Sequence, residues 1–79
     1  MVFGTATSSG IDLGFTVTKA TEVSVSVYDL IGRETYRTST NAVSGLNRVM
    51  LRPRNLSSGM YIVRVSTDDN FGVAKTIIH

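Results

Sequence analysis

Residues 11–28 read IDLGFTVTKATEVSVSVY, and apolar and polar side chains alternate on both sides of the polar connection at 19–21. An alternation with a period of two is typical of a β-strand that buries one of its faces. The stretch therefore predicts two strands, which we expect to pair antiparallel because a parallel crossover needs about a dozen residues or more. The side chains predicted to face the core are Ile11, Leu13, Phe15, Val17, Val23, Val25 and Val27.

Four further runs of alternating residues predict strands over 34–38, 47–52, 60–66 and 73–78. The first of these runs is polar and is expected near a sheet edge, whereas the third is the most apolar and is expected at a sheet centre. A polar loop is predicted at 39–45 and a hairpin loop at 68–70. With no amphipathic segment of helical length, the fold class is all-β: an antiparallel β-sandwich, with a small barrel as the alternative.

The second predicted strand ends in the turn Asp29-Leu30-Ile31-Gly32. An aspartate side chain can accept hydrogen bonds from backbone amides two residues further on, and glycine takes a positive φ without strain. The sequence therefore predicts a tight reversal at this point. A polar third strand is expected to follow it.

Composition limits the kind of protein. A chain of 79 residues suits one small domain, and with 42% hydrophobic and 18% charged residues it is expected to be a soluble folded module without membrane insertion. The absence of cysteine excludes disulfides and thiolate metal sites. The net charge is only +2 and the basic residues are scattered along the chain, so no nucleic-acid partner is predicted. The densest basic group, Arg48, Arg52 and Arg54, is interpreted as a solvated strand face. Residues 1–9 are interpreted as a tether or linker remnant and 10–79 as the domain.

Candidate catalytic and binding residues are few. His79 is the last residue and a poor general base, and every carboxylate falls on a polar strand face or in a loop. Residues 68–70 lack the spacing of a calcium loop, so no metal and no cofactor is predicted. Tyr28 and Tyr36 could stack on sugars, but a cross-strand pair that caps the sandwich is preferred. The residues by themselves predict a β-sandwich that is not an enzyme.

Four segments together resemble a known family. They are VSVSVYDLIGRETYR at 23–37, SGLNRVMLR at 44–52, LSSGMYIVRVS at 56–66 and VAKTIIH at 73–79. Their order and spacing are similar to those of the C-terminal sorting domain of cargo proteins of the type IX secretion system in Bacteroidetes. The residues that match the family's motifs, with a structural or recognition role implied, are Tyr28, Asp29, Gly32, Gly45, Asn47, Leu56, Gly59, Tyr61 and Lys75.

The resemblance implies an immunoglobulin-like sandwich of about seven strands that acts as a non-catalytic address label. An outer-membrane secretion translocon would read it after the cargo reaches the periplasm, and a sortase-like peptidase would cleave before it. The cargo, fused at the N-terminal side, would be secreted or attached to the cell surface. The domain is expected to be a monomer. The alternative is an immunoglobulin-like accessory module, carbohydrate-binding or spacer, of a secreted enzyme.

Overall fold

The computed structural model describes residues 2–7, 10–54, 56–68 and 71–78, and these form seven β-strands. None of the described segments is a helix long and apolar enough to cross a membrane. The strands are β1 (Val2–Thr7), β2 (Gly10–Val17), β3 (Thr21–Tyr28), β4 (Glu34–Ala42), β5 (Gly45–Leu51), β6 (Gly59–Ser66) and β7 (Phe71–Ile78).

Two antiparallel sheets pack face to face. One has three strands in the order β1-β2-β5, and the other has four in the order β4-β3-β6-β7. This is an immunoglobulin-like sandwich in which the fourth strand has joined the sheet of the third, sixth and seventh strands. The predicted fold class is confirmed, as are the edge position of the third predicted strand, now β4, and the central position of β6.

The predicted pairing of the first two strands is wrong. β2 pairs with β1 and β5, whereas β3 pairs with β4 and β6, so the connection at 18–20 carries the chain from one sheet to the other. A link this short can close a hairpin or turn a corner between sheets. In the sandwich the chain turns such a corner, so the apolar faces of β2 and β3 meet across the core. The alternation within each strand would be the same if the two strands paired side by side, so it cannot distinguish the two arrangements.

The predicted loop at 39–45 is also wrong, because β4 continues to Ala42 and only Val43 and Ser44 separate it from β5. Ala42 is buried and Thr38 and Thr40 are half-buried on the inner side of β4. Threonine suits a half-buried pleated surface, so a run that looks polar can continue as an edge strand. Residues 39–42 are therefore part of a strand although their side chains are mostly polar.

The N-terminal residues form an additional strand. β1 pairs with β2 along its whole length, from Val2 opposite Phe15 to Thr7 opposite Gly10. The Phe3 ring covers Gly14, where a Cβ atom would overlap it. This strand was not predicted from the sequence, because its alternation is interrupted by Gly4 and Thr5. A domain boundary after residue 9 stays a prediction.

The core lies between the two sheets and matches the faces that the alternation predicted. Ten of its residues come from strands predicted in the sequence, and Val17 packs against it while remaining half-buried. The buried hydrophobic residues are Ile11, Leu13, Phe15, Val23, Val25, Val27, Ala42, Leu51, Tyr61, Val63 and Val65.

One buried hydroxyl group gives a test of this core. Thr76 on β7 is 4% exposed, and its Oγ1 has no hydrogen-bond partner among the described residues. Thr76→Val keeps the shape and removes the unsatisfied group, so we expect the free energy of unfolding to rise by about 1 kcal/mol. Thr76→Ser, which keeps the hydroxyl and loses the methyl group, should lower it. Urea denaturation checks both variants, and a loss of stability in Thr76→Val would contradict the account.

Candidate recognition site

Most of the predicted motif residues meet at one end of the sandwich, here named the turn end. It consists of the β3–β4 turn (29–33), the β5–β6 connection and the end of β7. The register shows this, since Tyr28 lies opposite Ile62 near the start of β6 and Gly59 lies opposite Ile78. The six motif residues at or beside the turn end are Tyr28, Asp29, Gly32, Leu56, Gly59 and Tyr61.

Asp29 organises the β3–β4 turn. Its Oδ1 accepts hydrogen bonds from the backbone amides of Ile31, at 3.1 Å, and of Arg33, at 2.9 Å, and its Oδ2 accepts from Arg33 Nε at 3.1 Å. Two backbone bonds close the loop: Asp29 N donates to the Arg33 carbonyl and Gly32 N to the Asp29 carbonyl. Gly32 has a φ of +86°. The turn chemistry predicted from the sequence is therefore confirmed, and the turn has a defined shape.

The same contacts act on the pKa of Asp29. The Arg33 backbone amide is the largest cause that holds the pKa below its ordinary value of 3.8, desolvation opposes it, and the Ile31 amide and the Arg33 guanidinium add to the lowering. Because the folded-state pKa is depressed, Asp29 contributes stability above the unfolded-state pKa. That contribution is lost as the pH falls through the folded-state value.

Asp29→Asn tests this linkage. The amide oxygen can still accept the two backbone bonds, but the charge is gone and no longer titrates. We expect the melting temperature of the wild type to exceed that of the variant at neutral pH, and the difference to shrink as the solution is acidified below the ordinary pKa of 3.8. Thermal unfolding followed by circular dichroism at several pH values measures it. A difference that stays constant with pH would contradict a role for the ionised carboxylate.

The turn presents apolar side chains to solvent. Leu30 is 65% exposed and Ile31 is 82% exposed, although both sit on a backbone held by the Asp29 bonds. Met60 and Ile77, which pair with each other at the same end, are 38% and 50% exposed. Adjacent exposed apolar residues on an ordered frame are typical of an interaction site. None of these four was among the predicted site residues, although Leu30 and Ile31 are two large apolar residues inside a polar turn, which was a visible signal.

Three motif residues, Leu56, Gly59 and Tyr61, lie in the β5–β6 connection and at the start of β6. Tyr61 is buried, and its hydroxyl donates to the Ser57 carbonyl at 2.8 Å. Leu56 packs against the core from the connection. Gly59 has a φ of +153° where β6 begins. These contacts fix the path of the chain into the central strand.

Gly45 and Asn47 lie at the other end of the sandwich. The Asn47 side chain accepts from the Val43 amide at 3.0 Å and donates to the carbonyls of Val43, at 2.8 Å, and of Gly45, at 3.2 Å. Gly45 has a φ of +101°. The pair therefore holds the two-residue link between β4 and β5, where the chain changes sheets.

The suggested pairing of Tyr28 with Tyr36 is wrong. Tyr36 lies opposite Val27 and packs against the core, whereas Tyr28 lies opposite Glu34 and faces outward. A bulge between Val27 and Tyr28 shifts the register, so that Thr35 is the extra residue on β4. The Thr35 hydroxyl donates a hydrogen bond to the Val27 carbonyl at 3.1 Å. The two rings are therefore on opposite faces of the sheet and form no common stacking platform.

Other candidate chemistries receive no geometric support from the described residues. No group of three or more histidine, aspartate or glutamate side chains that could hold a metal ion occurs among them. Arg48 is paired with Asp12 at 2.6 Å and lies over the Phe3 ring at 5.7 Å, so it belongs to the sheet surface. His79, Asp69 and Asn70 lie outside the described residues.

Lys75 is exposed on the outer face of β7, opposite Ile62 of β6 and in line with Tyr28 of β3. It lies among apolar neighbours rather than in the turn itself. Lys75 is two residues before Ile77, which is exposed at the turn end beside Met60. The motif residues thus divide into those that lie in or beside the connections and two, Tyr28 and Lys75, whose side chains lie on the outer face of the four-stranded sheet.

Comparison with known proteins identifies a family for the chain. No curated protein and no solved structure matches the chain. Residues 7–79 match the family described as the secretion system C-terminal sorting domain, and they include all nine motif residues. The match spans most of the chain and the sandwich from the end of β1 onward. The chain therefore belongs to the family of C-terminal sorting domains of the type IX secretion system.

Proposed function

We propose that this domain is the non-catalytic signal that directs a fused cargo protein across the outer membrane through the type IX translocon. A sortase-like peptidase then removes it, and the cargo is attached to the cell surface or released. The observation that carries the proposal is the family match over residues 7–79. A sorting tail of this family implies an attached cargo and secretion through the outer membrane.

The architecture is suited to this role. A receptor that reads a folded signal needs a surface of fixed shape and no reacting groups. The turn end provides such a surface, because the Asp29 hydrogen bonds order the backbone that carries Leu30 and Ile31. Fold alone does not decide function, so the proposal depends on the family together with this surface.

A reporter fusion tests the proposal. A signal-peptide reporter is joined to residues 1–79, so that β1 is retained, and is expressed in a type IX-competent bacterium and in its translocon mutant. We expect the reporter on the surface or in the medium of the competent strain only. Mass spectrometry of the exported reporter should show that the domain has been removed.

Two results would contradict the proposal. Retention in the periplasm of both strains, with the domain shown to be folded, would favour the accessory module, which binding to insoluble polysaccharide would then test. Export of an uncleaved fusion would keep the sorting role and remove the peptidase step.

A further inference from the structure

The outer face of β6 and β7 carries an apolar surface with two cations. Strand register places Met60 beside Ile77, Ile62 beside Lys75 and Arg64 beside Val73, in three successive rows on one side of the sheet. Val73 is 52% exposed, and Ile62 is half-buried. The β6–β7 outer surface is defined by Met60, Ile62, Arg64, Val73, Lys75 and Ile77.

Within the part of the chain that the structure describes, the cations of this surface form no ion pair with a carboxylate. Among the described residues the ion pairs are made by Arg33, Arg37 and Arg48, not by Arg64 or Lys75. Arg64 lies over the Phe71 ring at 4.6 Å. Glu34 is in the same row as Lys75 but three strands away, about 14 Å at the usual strand spacing, and it pairs with Arg37. At that distance salt screens most of their attraction.

The outer face of the other sheet differs in this respect. There Arg48 is neutralised by Asp12, and the Phe3 ring covers Gly14 and lies under the Arg48 guanidinium. The charge of Arg48 is satisfied within the sheet and the Phe3 ring is already packed, although Leu46 and Met50 are exposed on the same face. The β6–β7 outer surface differs in its charge: it combines apolar residues with two strand cations, Arg64 and Lys75, that the described residues leave without a partner of opposite charge.

We propose that the β6–β7 outer surface docks a protein partner whose contact region is apolar and carries carboxylates that meet Lys75 and Arg64. Under the proposed function, on which this inference rests, that partner is the component of the secretion machinery that reads the sorting signal. Carboxylates on the partner would complement the positive charges of Lys75 and Arg64. The apolar residues of the surface supply the area that such a contact removes from water. Leu30 and Ile31, in the β3–β4 turn at the turn end, are also exposed.

A lipid surface fits less well. A basic residue near an anionic membrane contributes about 1 kcal/mol, and two such residues on a flat sheet face give little affinity. The described residues of the surface form no amphipathic helix that could enter the headgroup region. A protein is therefore the occupant that the geometry favours, and membrane binding is one outcome of the test.

The first test uses defined probes and the full 79-residue chain. NMR spectra are recorded while adding a soluble peptide of alternating leucine and glutamate, the same peptide with lysine for glutamate, or vesicles of anionic phospholipid. We expect saturable shifts at residues 60–64 and 73–77 with the acidic peptide only. Lys75→Glu should weaken that binding about tenfold or more, whereas Lys19→Glu, an equal charge change at the other end of the sandwich, should not.

Several outcomes would overturn the inference. They are shifts that centre on the β1-β2-β5 face, equal binding of both peptides, binding to vesicles without binding to the acidic peptide, or no saturable binding at all. Thermal unfolding of each variant checks that a loss of peptide binding is not caused by unfolding of the domain.

The second test separates this inference from the proposed function. The reporter fusion is made with Lys75→Glu, with Ile77→Ser and with the control Lys19→Glu. Export of the wild type and the control, but not of the two surface variants, supports the docking surface. If the wild type itself is not exported, the proposed function fails while the peptide titration still decides the surface. If all four are exported equally, the sorting role stands and the docking inference is wrong.

Discussion

Phe15→Ala should lower the free energy of unfolding by about 3–5 kcal/mol. Phe15 is 1% exposed at the centre of β2, and its ring fills the space between the two sheets. A truncated side chain loses the transfer free energy of the ring and leaves a cavity that the two rigid sheets can close only in part. For a domain of 79 residues, whose total stability is roughly 4–12 kcal/mol at typical values per residue, this loss is a large fraction.

Phe71→Ala is the matched control, because it deletes the same ring from an exposed position. Phe71 is 64% exposed at the start of β7 and contacts the Arg64 guanidinium, so we expect a loss of less than about 1 kcal/mol. Urea denaturation of both variants with a common m-value makes the comparison. Equal losses would mean that the core is not where the structure places it.

Gly10→Ala should lower the free energy of unfolding by about 2–5 kcal/mol, for two reasons that add. Gly10 has a φ of +144°, which residues with a side chain rarely adopt, so alanine would strain the backbone. A Cβ atom there would also overlap the Leu51 carbonyl oxygen, and backbone cannot move aside as a flexible side chain can. The expected relief is a displacement of β2 from β5 where Ile11 pairs with Leu51.

Gly59→Ala isolates the first of these reasons. Gly59 has a φ of +153°, but a Cβ atom there would have no neighbour within 4 Å among the described residues. We therefore expect only the strain, about 1–2 kcal/mol. Thermal and urea unfolding of the two variants give the difference, and a Gly59→Ala loss as large as that of Gly10→Ala would show that steric overlap contributes nothing.

The expected effects of these substitutions assign stability and partner recognition to different residues of the domain. The residues with the largest expected cost, Phe15 and Gly10, lie in the core and at a close backbone approach. The residues proposed to contact a partner, Lys75 and Ile77, are exposed and should change export with little change in unfolding. A sorting signal that is read as a folded surface requires this division, since its surface can be altered while its fold remains.

Part of the candidate site could be predicted from the sequence. Asp29 and Gly32 were identified with the roles that they have in the turn, because an Asx turn and a positive φ depend on residues close in the chain. The exposure of the apolar residues Leu30, Ile31 and Ile77 was not predicted. Exposure depends on which neighbours cover a residue, and those neighbours come from other strands.

The sequence by itself determined six of the seven strands and the buried faces of β2 and β3. Ile11, Phe15 and Val25 lie in the core as their alternation predicts, because successive side chains of a strand point to opposite sides whatever the strand pairs with. The family was also visible in the order of the motifs, and the match over 7–79 confirms it.

Only the tertiary structure decided which sheet each strand joins and which surface remains open. It separated β2 from β3, extended β4 to Ala42, turned Tyr36 inward and added β1 at the edge of the three-stranded sheet. The physical reason is that alternation is a local property of one strand. Pairing, register and bulges instead depend on hydrogen bonds and packing between residues that are distant in the chain.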